Sequence, residues 1–336
     1  MGTSTGKRVT STDVAREAGV ARSTVSYVLN RTPHQTIPDS TRRRVLDAAA
    51  RLGYTPSAAA RTLKRGRSDV VLCILQPWPI GSAVGSLLAE LTAGFDAEGL
   101  TLVTHIEGAG TRGIEAVWRE ISPAAVLSYG PVDADAERAM RSAGVQSVVV
   151  FFSGESGGSG RFLRPDARIG RLQAEHVIAA GHTRIGYARP EPASLRGFAE
   201  PRLEGVEAAC ADAGIAGPDV RTVALDAESA AAAVERWRGL GEPVTAVCAY
   251  NDDVAQALLA GARLVGVGVP GDLAVIGADD VPTARLASPP LTTIAIDHVA
   301  EARRIVRGVT SALREGVAPE STDPADLFTM VVRESA

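Results

Sequence analysis

The chain has 336 residues, of which 45% are hydrophobic and 22% charged, a balance typical of globular proteins with a sizeable core. The polar, basic start and the lack of any long uncharged apolar run predict neither a signal peptide nor a membrane segment, so we expect a cytoplasmic protein. The three cysteines are far apart, and we expect reduced thiols, no metal site and no cofactor.

Charge is distributed unevenly along the chain. Residues 1–70 contain 13 lysines and arginines against 5 acidic residues, whereas the remaining residues contain 22 against 34. A small basic segment attached to an acidic body indicates a polyanionic partner for the basic segment alone.

The basic segment shows the pattern of three short helices. Thr10 and Asp13 have the spacing of a capping box, and Gly19 predicts the end of the first helix. A second helix is predicted over about 22–29. A third is predicted from a cap near Asp39 to Gly53, with four apolar residues facing inward: Val45, Leu46, Ala49 and Leu52.

Two short helices around a glycine turn, with a third closing the core, predict a helix-turn-helix unit whose second helix enters the DNA major groove. Arg22 is placed to contact guanine, and we expect base or phosphate contacts from Ser23, Ser26 and Tyr27 and phosphate contacts from Thr24 and Asn30. The alternative is a purely structural three-helix bundle.

The run from Thr10 to Asn30 contains DVAxxAGV followed by STVSxVLN, and it resembles the LacI/GalR family of bacterial transcription regulators. The resemblance implies a hinge helix that enters the minor groove, with Leu63 as a wedge between base pairs and further contacts from Ala60, Arg61 and Lys64. A short, alanine-rich helix is marginal alone, so we expect it to order on DNA. The alternative is a flexible linker.

The body alternates apolar strand-like runs with helical patterns, which predicts an α/β fold with parallel sheets. We expect two similar lobes, as in periplasmic binding proteins. The resemblance extends through segments such as Glu175–Ile185 and Ser288–Ile294. It implies three crossings between the lobes, near residues 164, 292 and 324, and a ligand in the cleft between them.

Three residues align with effector contacts of the family: Arg202, Asn251 and Asp279. A guanidinium, an amide and a carboxylate suit polyols or small anions, although each residue can equally form an interlobe salt bridge or a strand-end cap. The aromatic residues common in the family's cleft are missing at 81–84 and at Ala278, and Trp78 and Tyr129 are candidates to replace them.

The predicted organisation is a DNA-binding domain over 7–54, a hinge helix and linker over 55–68, and an effector-binding domain over 69–336. Lobe 1 takes about 69–164 and 293–323, and lobe 2 takes about 165–292 and 324–336. We expect a homodimeric regulator, acting as a repressor, that binds a pseudo-palindromic operator in double-stranded DNA. We expect its DNA binding to be controlled by a small effector such as a sugar or sugar derivative.

Two other functions fit the sequence less well. The intact head argues against a solute-binding sensor without DNA function. The GxGxxG run at 108–113 does not follow the first strand of the body, and the GxSxG run at 154–158 opens a glycine–serine loop, so neither supports an enzyme.

Overall fold

The computed structural model describes residues 9–29, 36–54, 68–77, 80–108, 113–151, 166–316 and 327–336. The chain divides into two compact units, Met1–Ser68 and Asp69–Ala336. Among the described residues, no helix combines the length and apolar character needed to cross a membrane.

The first unit, called the head below, contains helices α1 (Ser11–Ala18), α2 (Arg22–Leu29) and α3 (Asp39–Arg51). They bury a small apolar core that includes Val14, Val25 and Val45, none of which is exposed. The prediction that Leu46 faces inward is wrong, since 46% of this residue is exposed. On a helix of 3.6 residues per turn, the core face is already filled by the neighbours Val45, Ala48 and Ala49.

The predicted cap of the third helix is also corrected. The capping position is Pro38, whose side chain makes no hydrogen bond to the helix, and Asp39 is the first helical residue. A carboxylate in the first turn still interacts favourably with the positive end of the helix dipole.

The second unit, called the body, contains two sheets with helices between the strands. The first lobe has a parallel sheet of order β2-β1-β3-β4. Its elements are β1 (Val70–Leu75), α4 (Ser82–Ala97), β2 (Thr101–Ile106), α5 (Ile114–Ile121), β3 (Ala125–Ser128), α6 (Ala134–Ser142) and β4 (Ser147–Val150).

The second lobe has a six-stranded sheet of order β10-β9-β8-β7-β5-β6, parallel except for β10. Its elements are α7 (Asp166–Ala179), β5 (Ile185–Pro190), a 3₁₀ turn (Ala193–Leu195), α8 (Arg196–Asp212), β6 (Asp219–Val223), α9 (Ala227–Arg238), β7 (Ala246–Ala249), α10 (Asp252–Leu264), β8 (Ala274–Asp279), a second 3₁₀ turn (Ala284–Leu286), β9 (Thr292–Ile296) and β10 (Phe328–Val331). The predicted α/β architecture with parallel sheets is confirmed.

One boundary between the lobes lies later than predicted. Residues 292–296 form β9, which pairs with β8 of the second lobe, so the chain leaves this lobe after Ile296 and not at residue 292. The next helix, α11 (His298–Glu315), then packs on α4 of the first lobe, where Arg314 pairs with Glu98 at 2.6 Å.

The three cysteines are buried and form no disulfide bond. Burial raises the pKa of the Cys73 thiol to about 12, so it stays protonated at neutral pH. This agrees with the prediction of buried reduced thiols.

Candidate functional site

Two short helices joined by a glycine turn form the first part of the candidate site. The Asp13 amide donates to the Thr10 hydroxyl at 3.4 Å, and the Thr10 amide donates to the Asp13 carboxylate at 2.9 Å. Gly19 then ends α1 with φ at 64°, a left-handed conformation that glycine adopts without steric cost. The predicted capping box and turn are therefore confirmed.

Helix α2 has one apolar face and one polar face. Val25 and Val28 are buried in the core of the head, and Leu29 packs against them. The residues predicted to contact DNA lie outside this core: Arg22, Ser23 and Tyr27 are exposed, and Thr24 and Ser26 are half-buried. The helix therefore presents polar side chains to solvent from its first turn onward.

Arg22 is the first residue of α2, and its Nε donates to the Ser11 hydroxyl at 3.1 Å. This bond ties the base of the guanidinium to the first turn of α1. Asn30 and the predicted hinge residues lie outside the described residues: Ala60, Arg61, Leu63 and Lys64.

The second part of the site is a cleft in the body, lined by residues of both lobes. It opens at the carboxyl ends of the strands, where Leu75 ends β1, Tyr129 follows β3 and Asp279 ends β8. This is where ligands bind in open parallel sheets. The cavity volume of about 120 Å³ holds on the order of ten water molecules, which suits a small molecule and not a polymer.

Four of the five predicted effector residues line this cleft: Tyr129, Arg202, Asn251 and Asp279. The fifth, Trp78, lies outside the described residues. Tyr129 stacks on the buried ring of Phe151 with centroids 4.5 Å apart, so its ring has a fixed orientation at the wall.

Arg202 is buried and bound on several sides. Its Nε donates to Asp166 at 3.3 Å, another nitrogen lies 3.5 Å from Asp279, and a third donates to the Tyr250 carbonyl. The guanidinium also lies 4.7 Å from the centre of the Tyr250 ring. Asp166, Asp279 and Tyr250 belong to the same lobe as Arg202, so these bonds fix the wall of that lobe and do not bridge the cleft.

Asn251 caps α10, because its side-chain oxygen accepts from the Val254 amide at 3.0 Å. The next residue, Asp252, is fully buried and accepts from the Val281 amide at 2.8 Å and the Thr293 hydroxyl at 2.6 Å. Burial raises the pKa of Asp252 to about 7, although the Thr293 hydrogen bond opposes this shift. Asp252 thus ties the start of α10 to the segment after β8.

That segment is conformationally strained. Asp279 has φ at 102° and Asp280 has φ at 48°, values that residues other than glycine rarely adopt. Asp280 is held by Arg333 at 2.6 Å, and Asp279 by Arg202. Such strain persists where surrounding contacts over-determine the backbone, and it is common at ligand-binding sites.

Two glycines allow α7 and α8 to approach closely beneath the cleft. A Cβ on Gly170 would lie 1.8 Å from the Arg202 carbonyl oxygen, and one on Gly205 would lie 1.8 Å from the Ala167 carbonyl oxygen. This contact sets the position of Arg202 opposite Asp166.

Sequence reasoning missed most of the remaining lining. The missed residues include Leu87, Leu88, Phe198, Val223, Asp253, Val281, Ile296 and His298. Two of these could have been predicted, because Val223 and Ile296 end strands β6 and β9, and residues at the carboxyl ends of parallel strands face the ligand. Residues that reach the cleft from helices, such as Leu87 and Phe198, have no comparable pattern in the sequence that would predict their position.

Two family models match the chain. Residues 10–57 match the bacterial regulatory proteins of the lacI family, and residues 174–336 match the periplasmic binding protein-like domain. The transcriptional regulator GalR of Escherichia coli (strain K12) is 32% identical over 292 residues, covering 84% of this chain and 82% of that protein. The transcriptional repressor PurR of Photobacterium profundum is 29% identical over 293 residues, covering 84% and 85%.

Solved structures share the fold. The Lac repressor dimer bound to operator and the anti-inducer ONPF matches with a TM-score of 0.81 at 23% identity, over 98% of this chain and 99% of that one. The complex of the regulator CelR with cellobiose matches with a TM-score of 0.68 at 24% identity, over 98% and 100%. With a helix-turn-helix head, a two-lobed body and relatives over most of its length, this chain belongs to the LacI family of bacterial regulatory proteins.

Proposed function

We propose that this chain is a sequence-specific DNA-binding transcriptional regulator, acting as a repressor, whose affinity for DNA is controlled by a small molecule bound between the lobes. The observation that carries the proposal is the occurrence, in one chain, of a basic head with an exposed polar recognition helix and a body with a cleft between its two lobes. Its relatives are transcription regulators, and we assign it no catalytic role.

The head reads DNA through α2. The N-terminal part of this helix enters the major groove, where Arg22 makes paired hydrogen bonds to guanine. Ser23, Ser26 and Tyr27 contact base edges or phosphates, and Thr24 and Asn30 contact phosphates. The bond from Arg22 to Ser11 supports this role, because it restricts the side chain before DNA is bound.

The segment at 55–68 acts as the hinge between the head at 7–54 and the body at 69–336. Leu63 wedges between base pairs in the minor groove, with Ala60, Arg61 and Lys64 beside it. The chain works as a homodimer on a pseudo-palindromic operator, since one recognition helix reads only one half-site. The Lac repressor in the matching structure is a dimer on its operator, which supports this arrangement. We infer that it acts in the cytoplasm, where its DNA lies.

The cleft transmits the signal by favouring one arrangement of the two lobes. A ligand shifts the equilibrium only by the difference between its affinities for the two arrangements. Asp279 contacts the ligand in this proposal, since it lines the cleft and its pair with Arg202 fixes its position there. Trp78, Tyr129, Arg202 and Asn251 complete the proposed site, and a sugar or sugar derivative is one candidate ligand.

The test is selection of bound DNA from a random pool with the full chain, repeated with a metabolite panel to find compounds that change binding. We expect one enriched, near-palindromic sequence and at least one active compound. Asp279→Ala should keep DNA binding and lose the response to that compound. A full response in this variant would remove Asp279 from the site.

A sensor without DNA function is the alternative. It predicts ligand binding by the body with no enriched DNA sequence, so the same selection separates the two functions. If circular dichroism shows that the head is folded and still no DNA is selected, the proposal is overturned.

A further inference from the structure

The wall that the first lobe presents to the cleft is almost entirely apolar. This first-lobe wall consists of Leu75, Gly81, Ser82, Ala83, Val84, Leu87, Leu88 and Tyr129. Only Ser82 and Tyr129 among these described residues carry a polar side-chain atom. The Tyr129 hydroxyl is buried, so this residue turns its ring and not its oxygen to the cleft. The Ser82 hydroxyl is therefore the one polar side-chain group that a ligand meets on the described part of this wall.

His298, at the start of α11, lines the cleft without adding an available polar group. Its Nδ1 lies 3.2 Å from the carboxylate of the buried Glu301. Its Nε2 is buried as well, so no ligand in the cleft can reach this nitrogen. The ring therefore offers a ligand its carbon atoms.

The second lobe continues the apolar lining on the opposite side, with Leu195, Phe198, Val223, Leu225, Val281 and Ile296. Leu225 is 56% exposed, so this wall includes apolar surface that a ligand would remove from water. Two acidic residues, Glu191 and Asp253, also line the cleft, but both are exposed and their carboxylates are hydrated.

The other polar side chains of the second lobe are largely engaged by the protein itself. Arg202 is paired with Asp166 and Asp279. The Asn251 oxygen accepts from the Val254 amide, which leaves the Asn251 amide nitrogen without a partner among the described residues. Asn251 is half-buried and lines the cleft, so this nitrogen is a donor for one oxygen of a ligand.

Asn251 lies at the corner of the cleft where the starts of α10 and α4 meet. It caps α10, and two residues later the Asp253 Oδ2 lies 3.5 Å from the position that a Cβ on Gly81, the cap of α4, would occupy. The polar groups left for a ligand are thus gathered at one end of the cleft, and the rest of the space has apolar walls on both sides.

The size of the space fits one ring. Apolar cavities of roughly 150 Å³ lined by leucine, isoleucine and phenylalanine bind a single benzene ring. The cleft, with a volume of about 120 Å³, therefore has room for one six-membered ring.

We propose that the cleft binds a small molecule with an apolar, ring-sized body and a single oxygen function, a hydroxyl or carbonyl that accepts from the Asn251 amide nitrogen. The proposal rests on the proposed function, because it names the chemical class of the effector, and it selects an apolar compound over a sugar. A polyol has hydroxyl groups all around its ring, and those that face the first-lobe wall would lose their water without gaining a partner.

An apolar ring also connects the ligand to the arrangement of the lobes. It touches leucine and valine side chains of both lobes, such as Leu88 in the first and Val223 in the second. Closure of the cleft around the ring buries more of this surface than closure around water, and this difference favours the closed arrangement.

The experiment uses three probes with the same six-carbon ring and an increasing number of hydroxyl groups: cyclohexanol, trans-cyclohexane-1,2-diol and myo-inositol. Binding to the full chain is measured by titration with saturation-transfer difference NMR. We expect affinity to fall along this series. Cyclohexanol should bind at least about tenfold more tightly than myo-inositol, since burial of even one hydroxyl without a partner has a cost of about that size.

One substitution tests the first-lobe wall. Leu88→Asn replaces a half-buried lining residue with a polar one of similar size, and it should weaken cyclohexanol binding several-fold. Leu264→Asn is the matched control, because Leu264 is 61% exposed at the end of α10 and does not line the cleft. Its cyclohexanol binding should equal that of the unmodified chain. Thermal melts without ligand verify that both variants are folded.

Equal or tighter binding of myo-inositol overturns the inference, as does a cyclohexanol dissociation constant weaker than roughly 10 mM. Equal weakening by the two substitutions would place cyclohexanol outside the cleft and overturn it too. These outcomes are distinct from failure of the proposed function. If a sugar releases selected DNA while cyclohexanol does not bind, the regulator assignment stands and the ligand class is wrong. If no DNA is selected, the three titrations still decide the ligand class.

Discussion

One methyl group added where α7 and α8 touch beneath the cleft should measurably destabilise the body. The change is Gly205→Ala. Its Cβ would lie 1.8 Å from the Ala167 carbonyl oxygen and 2.8 Å from the Arg171 amide nitrogen. Both are backbone atoms, so no side chain can rotate away. Contacts of a Cβ below 3.0 Å essentially never occur, so the two helices must separate by at least about 1.2 Å.

The expected cost follows from two opposing effects. Alanine stabilises a helix interior by about 1 kcal/mol relative to glycine. Overpacking of a close contact costs about 1–3 kcal/mol, and a clash between two backbones belongs at the upper end of that range. The variant should therefore lose about 2 kcal/mol of unfolding free energy, which lowers Tm by about 4–8 °C in a body of this size.

A functional consequence should accompany the loss of stability. Arg202 lies one turn before Gly205 on the same helix, and its bond to Asp166 is already 3.3 Å long. Separation of the helices should break this bond and weaken effector binding.

The assay is urea denaturation followed by circular dichroism, with thermal melting as a second measure. Gly85→Ala is the matched control, because Gly85 also lies in a helix but a Cβ there meets none of the described residues within 4 Å. We expect this control to be unchanged or stabilised by up to about 1 kcal/mol. Equal stability of the two variants would refute the steric argument.

Three other predictions concern the head and a buried carboxyl group. Arg22→Ala should lose about 1–3 kcal/mol of discrimination between the selected operator and random DNA in competition binding; an equal loss on both would make Arg22 a phosphate contact. Gly19→Ala forces alanine to φ near 64° and should destabilise the head by about 1–2 kcal/mol in thermal melts, and a smaller effect of Gly19→Asn would support strain as the cause. The folded pKa of Asp252, about 7, lies above its ordinary 3.8, so its contribution to stability is present below pH 4 and is lost as pH rises to 7. Asp252→Asn should remove this decline, which amounts to at most about 4 kcal/mol of unfolding free energy in urea denaturation between pH 4 and pH 8. If the unfolding free energy of the variant still falls with pH as in the unmodified chain, the assignment is contradicted.

The head could be predicted from the sequence because its determinants are local. The Thr10–Asp13 capping box and the Gly19 turn involve residues close in the chain, and each has a specific physical requirement. The polar face of α2 follows from helical periodicity alone. Leu46 was misplaced because periodicity gives the direction of a side chain only approximately, and a three-helix core has little space.

In the body, the alternation of apolar runs and helical patterns predicted the parallel sheets, whereas β9 was placed in the wrong lobe and β10 was not predicted as an antiparallel strand. Both are short, and they become strands through pairing with residues distant in sequence, β9 with β8 and β10 with β9. Nonlocal pairing of this kind leaves little signal in a single sequence.

The sequence alone was sufficient for the fold class, the polar recognition helix and four residues that line the cleft, since these depend on local pattern and on family resemblance. Only the tertiary structure decided what those residues do. It placed Arg202 between two carboxylates, and it buried Asp252 close to the strained Asp279. The physical reason is that pairing and burial depend on distances between segments separated by tens of residues, which become fixed only when the helices and sheets pack.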